Sequence, residues 1–186
     1  MAHLGGGRFA VGTYEGTVAV FDADGQREPE SGASDLGWVG AMAHLGGGRF
    51  AVGTSRGTVA VFDAGGRREP ESGASDLGIV RAMAHLGGGR FAVGTYEGTV
   101  AVFDADGQRE PADARLPSRN VVGVLLLDAR IVAVAGGSLS TVETAPDREP
   151  LHECVALNEM SVCDLGDGRI AIATNDGQVL VYELAL

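Results

Sequence analysis

The chain has 186 residues, 45% hydrophobic but only 5% aromatic, with 30 glycines, a composition that suits one folded domain of tight turns and closely stacked strands. Its 14 basic and 25 acidic side chains leave a net charge of −11, the wrong sign for non-specific nucleic-acid binding, so no DNA or RNA partner is expected. No apolar run approaches the roughly 20 residues of a membrane-spanning helix, so no membrane partner is expected either.

The opening Met1-Ala-His-Leu-Gly-Gly-Gly is already repeat sequence and lacks the basic, apolar and small-residue succession of a signal peptide. Cys154 and Cys163 are the only cysteines. Without a secretion signal they read as reduced, buried thiols in a cytoplasmic protein.

The stretch Arg8-Phe-Ala-Val-Gly-Thr-Tyr-Glu-Gly-Thr-Val-Ala-Val-Phe-Asp22 follows, and it returns twice, each time 41 residues later, as residues 49–63 and 90–104. Two runs rich in Val, Phe, Thr and Ala flank Tyr14-Glu-Gly16, which is the pattern of two antiparallel strands joined by a tight turn. A degenerate copy spans 130–144 and a worn one spans 169–183. A lone hairpin cannot bury its apolar side chains, so a chain that repeats one at fixed spacing must stack the copies.

Each linking segment divides into a charged first half containing a proline, such as Pro29, and an apolar second half, such as Trp38 to Leu45. Proline suits an outer edge strand, where the missing N–H faces solvent. The apolar half reads as an inner strand, so the complete repeat has four strands. No segment offers a capped amphipathic helix of useful length. Alternate positions of the central strands carry Phe and Val on one side and mostly Ala and Gly on the other. Blades of this kind interdigitate, bulky face into slim face. The expected fold is an all-β propeller of about five four-stranded blades, a single domain over 1–186.

The segment from Trp38 to Asp63 resembles the WD-repeat consensus across most of one blade. It departs at the family's own signature: Phe62 stands where the Trp of the Trp-Asp pair belongs, the Gly-His pair is absent, and the turn acid is Glu15 in one copy and Arg56 in the next. The hydrogen-bonded tetrad of well-formed WD repeats is therefore expected to be missing. The Val-Gly-Thr-x-x-Gly-Thr-Val core is also similar to quinoprotein-type propeller repeats. Both resemblances imply the same architecture.

The first copy starts within its inner strand and the last ends after its third strand, so the first and last blades are incomplete. A five-bladed ring with a three-stranded last blade, a piece of a longer array, and self-association that completes the unfinished blades all fit.

The first two 41-residue copies differ at Tyr14/Ser55, Glu15/Arg56, Asp24/Gly65, Gln26/Arg67, Trp38/Ile79 and Gly40/Arg81, none of them a core position. In WD-repeat proteins, the residue before the turn acid and the residues opening the inner strand share the top face and commonly contact partners. The resemblance implies Tyr14, Ser55, Tyr96 and Asn175 at the turns. It implies Trp38, Gly40, Ile79, Arg81, Asn120 and Asn158 at the inner strands. Trp, Tyr and Arg dominate binding hot spots; drift at tolerant loop positions explains the same differences without function.

His3, His44 and His85 occupy one phase of the first three inner strands, with Leu126 and Asp164 at the same phase later. Three imidazoles and a carboxylate suit a transition metal. Repetition copies a packing histidine just as readily, and the expectation is no metal and no other cofactor.

No catalytic set is evident. The serines of Ser31-Gly-Ala-Ser-Asp35 lack a G-x-S-x-G elbow, and Gly46-Gly-Gly48 is followed by a strand and not by the Lys and helix of a phosphate loop, so it reads as a turn. The function expected is a non-enzymatic scaffold that binds a protein partner through its top face. The alternative is a lectin-like module whose near-identical blades create repeated small-ligand or glycan sites, and hence avidity. Glycan binding requires Trp38 and Tyr14 in clefts between blades, whereas protein binding requires them together on one open surface.

Overall fold

The computed structural model describes residues 1–29, 35–69, 76–127, 130–136, 138–142, 152–154 and 159–183. Every regular element among them is a strand, and the strands form five antiparallel meanders. The first holds β1 (Ala2–Gly5), β2 (Arg8–Gly12) and β3 (Val18–Phe21). The second holds β4 (Val39–Gly46), β5 (Arg49–Thr54) and β6 (Val59–Phe62). The third has four strands, β7 (Val80–Gly87), β8 (Arg90–Thr95), β9 (Thr99–Phe103) and β10 (Arg109–Arg115), as does the fourth, β11 (Val121–Leu127), β12 (Arg130–Ala135), β13 (Ser138–Val142) and β14 (His152–Cys154). The fifth returns to three, β15 (Glu159–Gly166), β16 (Arg169–Thr174) and β17 (Val179–Glu183). No helix among the described residues is long and apolar enough to cross a membrane.

The turns follow from local chemistry. Between β4 and β5 only Gly47 and Gly48 intervene, at φ 61° and 81°. Two successive positive φ values make the primed turn whose twist matches an antiparallel pair, and glycine reaches it without a Cβ penalty. At the other end of the hairpin, the buried Thr54 closes the turn: its amide donates to the Thr58 carbonyl at 3.0 Å and its hydroxyl accepts from the Thr58 amide at 3.3 Å.

Among the described residues, the outer segment of the first two sheets joins its sheet through single bridges, Phe21 with Arg27 and Phe62 with Arg68. In the third it becomes β10, whose register slips between Arg109 and Asp113. Pro111 lies within that slip, where a residue without an N–H does least damage to the ladder.

Consecutive sheets stack through their inner strands in the order β1, β4, β7, β11, β15. Each sheet has a bulky face and a slim one. Phe50, Val52, Ala60 and Phe62 of the second sheet pack with Ala2, Leu4, Ala10, Val18 and Val20 of the first. One step on, Phe91, Val93, Ala101 and Phe103 meet Ala43, Leu45, Ala51, Val59 and Val61. The paired phenylalanines stack nearly parallel across β5 and β6, and across β8 and β9, with centroids 5.1 Å apart in both sheets. Leu36 and Leu77, from the segments linking one sheet to the next, fill these two interfaces, and Leu116 fills that between the third and fourth sheets.

Gly53 shows how closely the sheets approach: a Cβ there would lie 2.3 Å from Val80 Cγ1. Full burial of each Phe or Val is worth about 1.5–3 kcal/mol, so every sheet depends on its neighbours.

The arc is open. Phe9 and Phe21, stacked at 5.4 Å like their counterparts, are only half-buried on the first sheet, and Val179 and Val181 stand exposed on the fifth. Cys163 is exposed on that same uncovered face, which corrects the expectation of a buried thiol; the Cys154 side chain lies outside the described residues.

Candidate functional surface

The hairpin turns β2–β3, β5–β6, β8–β9 and β16–β17 lie at the sheet ends where the inner strands begin, because each meander is antiparallel. This brings residues from different sheets onto one face. Tyr14, in the β2–β3 turn, is 77% exposed, and its ring centroid lies 5.2 Å from that of Trp38, just before β4. The Arg81 guanidinium of β7 sits over the Trp38 ring, 5.7 Å from its centroid. One aromatic–aromatic and one cation–π contact thus join the first three sheets, each worth about 0.5–1.5 kcal/mol. Trp38 nevertheless remains 36% exposed.

Backbone hydrogen bonds fix these side chains in place. The Ser55 amide donates to the Trp38 carbonyl at 2.8 Å, and the Tyr96 amide donates to the Ile79 carbonyl, also at 2.8 Å. The next junction is made by Asn120, whose amide donates to the Tyr96 carbonyl at 2.6 Å from a left-handed backbone, φ 61°.

Tyr96 is 45% exposed and Asn175 is exposed in the β16–β17 turn. Ser55, Ile79 and Asn120 are half-buried and serve mainly as backbone anchors. Gly40 leaves no room for a ligand contact, since a Cβ there would fall 2.1 Å from the Val80 carbonyl oxygen. Asn158 and Ser31 lie outside the described residues.

Two further residues of this face were not among the contact positions expected from the sequence. Arg56 lies across Gly37 and donates to the Asp35 carbonyl at 3.2 Å. Glu97, its counterpart one sheet on, lies across Gly78, where a Cβ would come within 2.2 Å of Glu97 Oε2. The signal was the Asp-Leu-Gly of both linkers, whose glycine leaves space for the turn side chain. Glu97 Oε2 and Asn120 Oδ1 are shielded acceptors without a hydrogen-bond partner among the described residues.

The histidines occupy the opposite part of the fold. His3, His44 and His85 pair across the ladder with Phe9, Phe50 and Phe91, near the far ends of successive inner strands. His3 and His85 are exposed, while His44 is half-buried with Nε2 shielded and unpartnered among the described residues. Desolvation, then the charges of His85 and His3, hold the His44 imidazolium below its ordinary pKa of 6.5. Asp164 is exposed on β15, and among the described residues no three His, Cys, Asp or Glu side chains converge in a way that could hold a metal ion.

No family model matches the sequence, and no curated protein matches it. Among solved structures, the chain is similar to U3-55K with a TM-score of 0.80 at 12% identity, covering 97% of this chain and 58% of that one. It is similar to the WD40 β-propeller domain of Doa1 with a TM-score of 0.78 at 16% identity, covering 94% and 60%. The RRP9 WD40 repeats align with a TM-score of 0.80 at 13% identity, covering 97% and 58%. The chain spans about three-fifths of the length of these structures. At such identities the likeness establishes the fold, an arc of a WD40-type β-propeller.

Proposed function

We propose that this WD40-type propeller arc is a non-catalytic scaffold that binds a protein partner through the face carrying Tyr14, Trp38, Arg81 and Tyr96. The observation that carries the reading is the Tyr14–Trp38–Arg81 cluster, drawn from three sheets and open to solvent. Exposed aromatic and arginine side chains already held by one another lose little freedom on docking, and these residue types dominate hot spots. The exposure of Tyr14 beside Trp38 favours a protein-sized partner over glycans held in separate clefts between blades.

The test is selection of binding peptides from a displayed library against the intact chain, followed by affinity measurement on Trp38→Ala and Arg81→Ala. A loss of tenfold or more on each supports the reading. Peptide binding indifferent to both, or a glycan-array signal abolished by Trp38→Ala in place of peptide binding, overturns it.

A further inference from the structure

The two uncovered sheet faces at the ends of the arc are complementary. On the first sheet the open face carries Phe9, Val11, Ala19 and Phe21. The same four residue types in the same order, Phe50, Val52, Ala60 and Phe62, form the bulky face that the second sheet buries, and Phe91, Val93, Ala101 and Phe103 form that of the third.

On the fifth sheet the open face carries Cys163, Leu165, Ala171, Val179 and Val181. Strand register places these where the second sheet has Ala43, Leu45, Ala51, Val59 and Val61, so that Cys163 pairs with Ala171 as Ala43 pairs with Ala51. Four of the five positions are identical, and in the second sheet this set receives the phenylalanine face of the third. Exposure measures what is missing: Val59 and Val61 are 0% exposed and Leu45 5%, against 68% for Val179, 58% for Val181 and 45% for Leu165.

We propose that a second copy of this chain covers these faces, with the phenylalanine face of its first sheet seated on the valine face of the fifth sheet of its neighbour. The contact continues, between copies, the interface that already joins the second and third sheets within one copy. It is head-to-tail, because the two faces differ, so each added copy leaves one face of each kind open until the assembly closes into a ring. It leaves the Tyr14–Trp38–Arg81 surface free and stands independently of the partner proposed for it.

Sedimentation equilibrium on the full chain at tens of micromolar decides the matter. The expected result is a mass of at least twice 19.0 kDa, returned to the single-copy value by Val179→Lys with Val181→Lys. Both positions are exposed, so folding is little disturbed, and lysine lowers the net negative charge, so added repulsion between acidic chains does not explain the loss. Val11→Lys on the first sheet acts the same way. An equimolar mixture of the two variants forms 1:1 pairs, since each keeps the face that the other lacks. A wild-type chain that sediments as a single copy overturns the proposal, and so does a valine variant that associates as well as the wild type.

Discussion

Arg49 grips the carboxylate of Glu69 with two parallel hydrogen bonds, Nε to Oε1 at 2.8 Å and Nη2 to Oε2 at 2.7 Å, and its Nη2 also donates to the Ala105 carbonyl at 2.8 Å. Arg8 with Glu28 and Arg90 with Glu110 repeat the same fork, 20 residues apart each time. Each fork ties the outer segment of a sheet to the start of its β-hairpin, and Arg8 and Arg49 also reach the next sheet through the carbonyls of Ala64 and Ala105. In each of these three sheets a bidentate ion pair holds the outer edge.

Arg49→Met should therefore destabilise the chain by about 0.5–1 kcal/mol, the scale of a part-exposed pair with good geometry. In a double-mutant cycle with Glu69→Gln, measured by denaturant unfolding, the two effects should be less than additive. Full additivity would show that the pair is not coupled.

The Arg90–Glu110 fork makes a prediction about acid. Its hydrogen bond from Arg90 holds the Glu110 carboxyl below its ordinary 4.5. A depressed folded-state value adds stability that is present above 4.5 and is lost as pH falls through the lower folded value. Glu110→Gln should remove part of the acid dependence below pH 4.5 and leave the slope near neutrality unchanged.

His44 acts in a higher window. Its imidazolium is disfavoured by burial and by the neighbouring His85 and His3, so the unfolded chain takes up its proton first. Stability is full above about 6.5 and declines as pH falls from there toward the lower folded value. His44→Leu, the residue that the fourth sheet carries at this phase as Leu126, should flatten the change in melting temperature between pH 7 and 5. An unaltered slope would place the titration elsewhere.

Gly53 tests the closeness of the sheets. Gly53→Ala places a methyl 2.3 Å from Val80 Cγ1, and the overpacking should cost about 1–3 kcal/mol. Gly25→Ala, where a Cβ meets nothing, controls for crowding, although its φ of 75° adds backbone strain of its own.

The repeat made the fold legible, because a hairpin returning every 41 residues has no way to bury itself except against its copies. The alternation of Phe and Val with Ala and Gly also announced which faces would meet. The forks were harder to see: Arg49 and Glu69 are 20 residues apart with a loop between them, and charged residues on an outer edge look like a solvated face.

Of the candidate surface, Tyr14, Trp38 and Arg81 were named from the WD-repeat resemblance together with their variation between copies, but only the fold brings three sheets' side chains into one cluster. Glu97 was hidden because its role depends on the absent side chain of Gly78, a contact that residue types alone do not display.

Phe21 and Phe62 supply the most direct test of the stacking account. They hold the same place in successive repeats and stack on Phe9 and Phe50 in the same way, yet Phe62 is 0% exposed against the first sheet whereas Phe21 faces the open end of the arc half-buried. Denaturant unfolding should show Phe62→Ala costing about 3–5 kcal/mol and Phe21→Ala well under half of that, measured below the concentration at which copies associate. Equal losses at the two positions would contradict the claim that the sheets owe their stability to the faces of their neighbours.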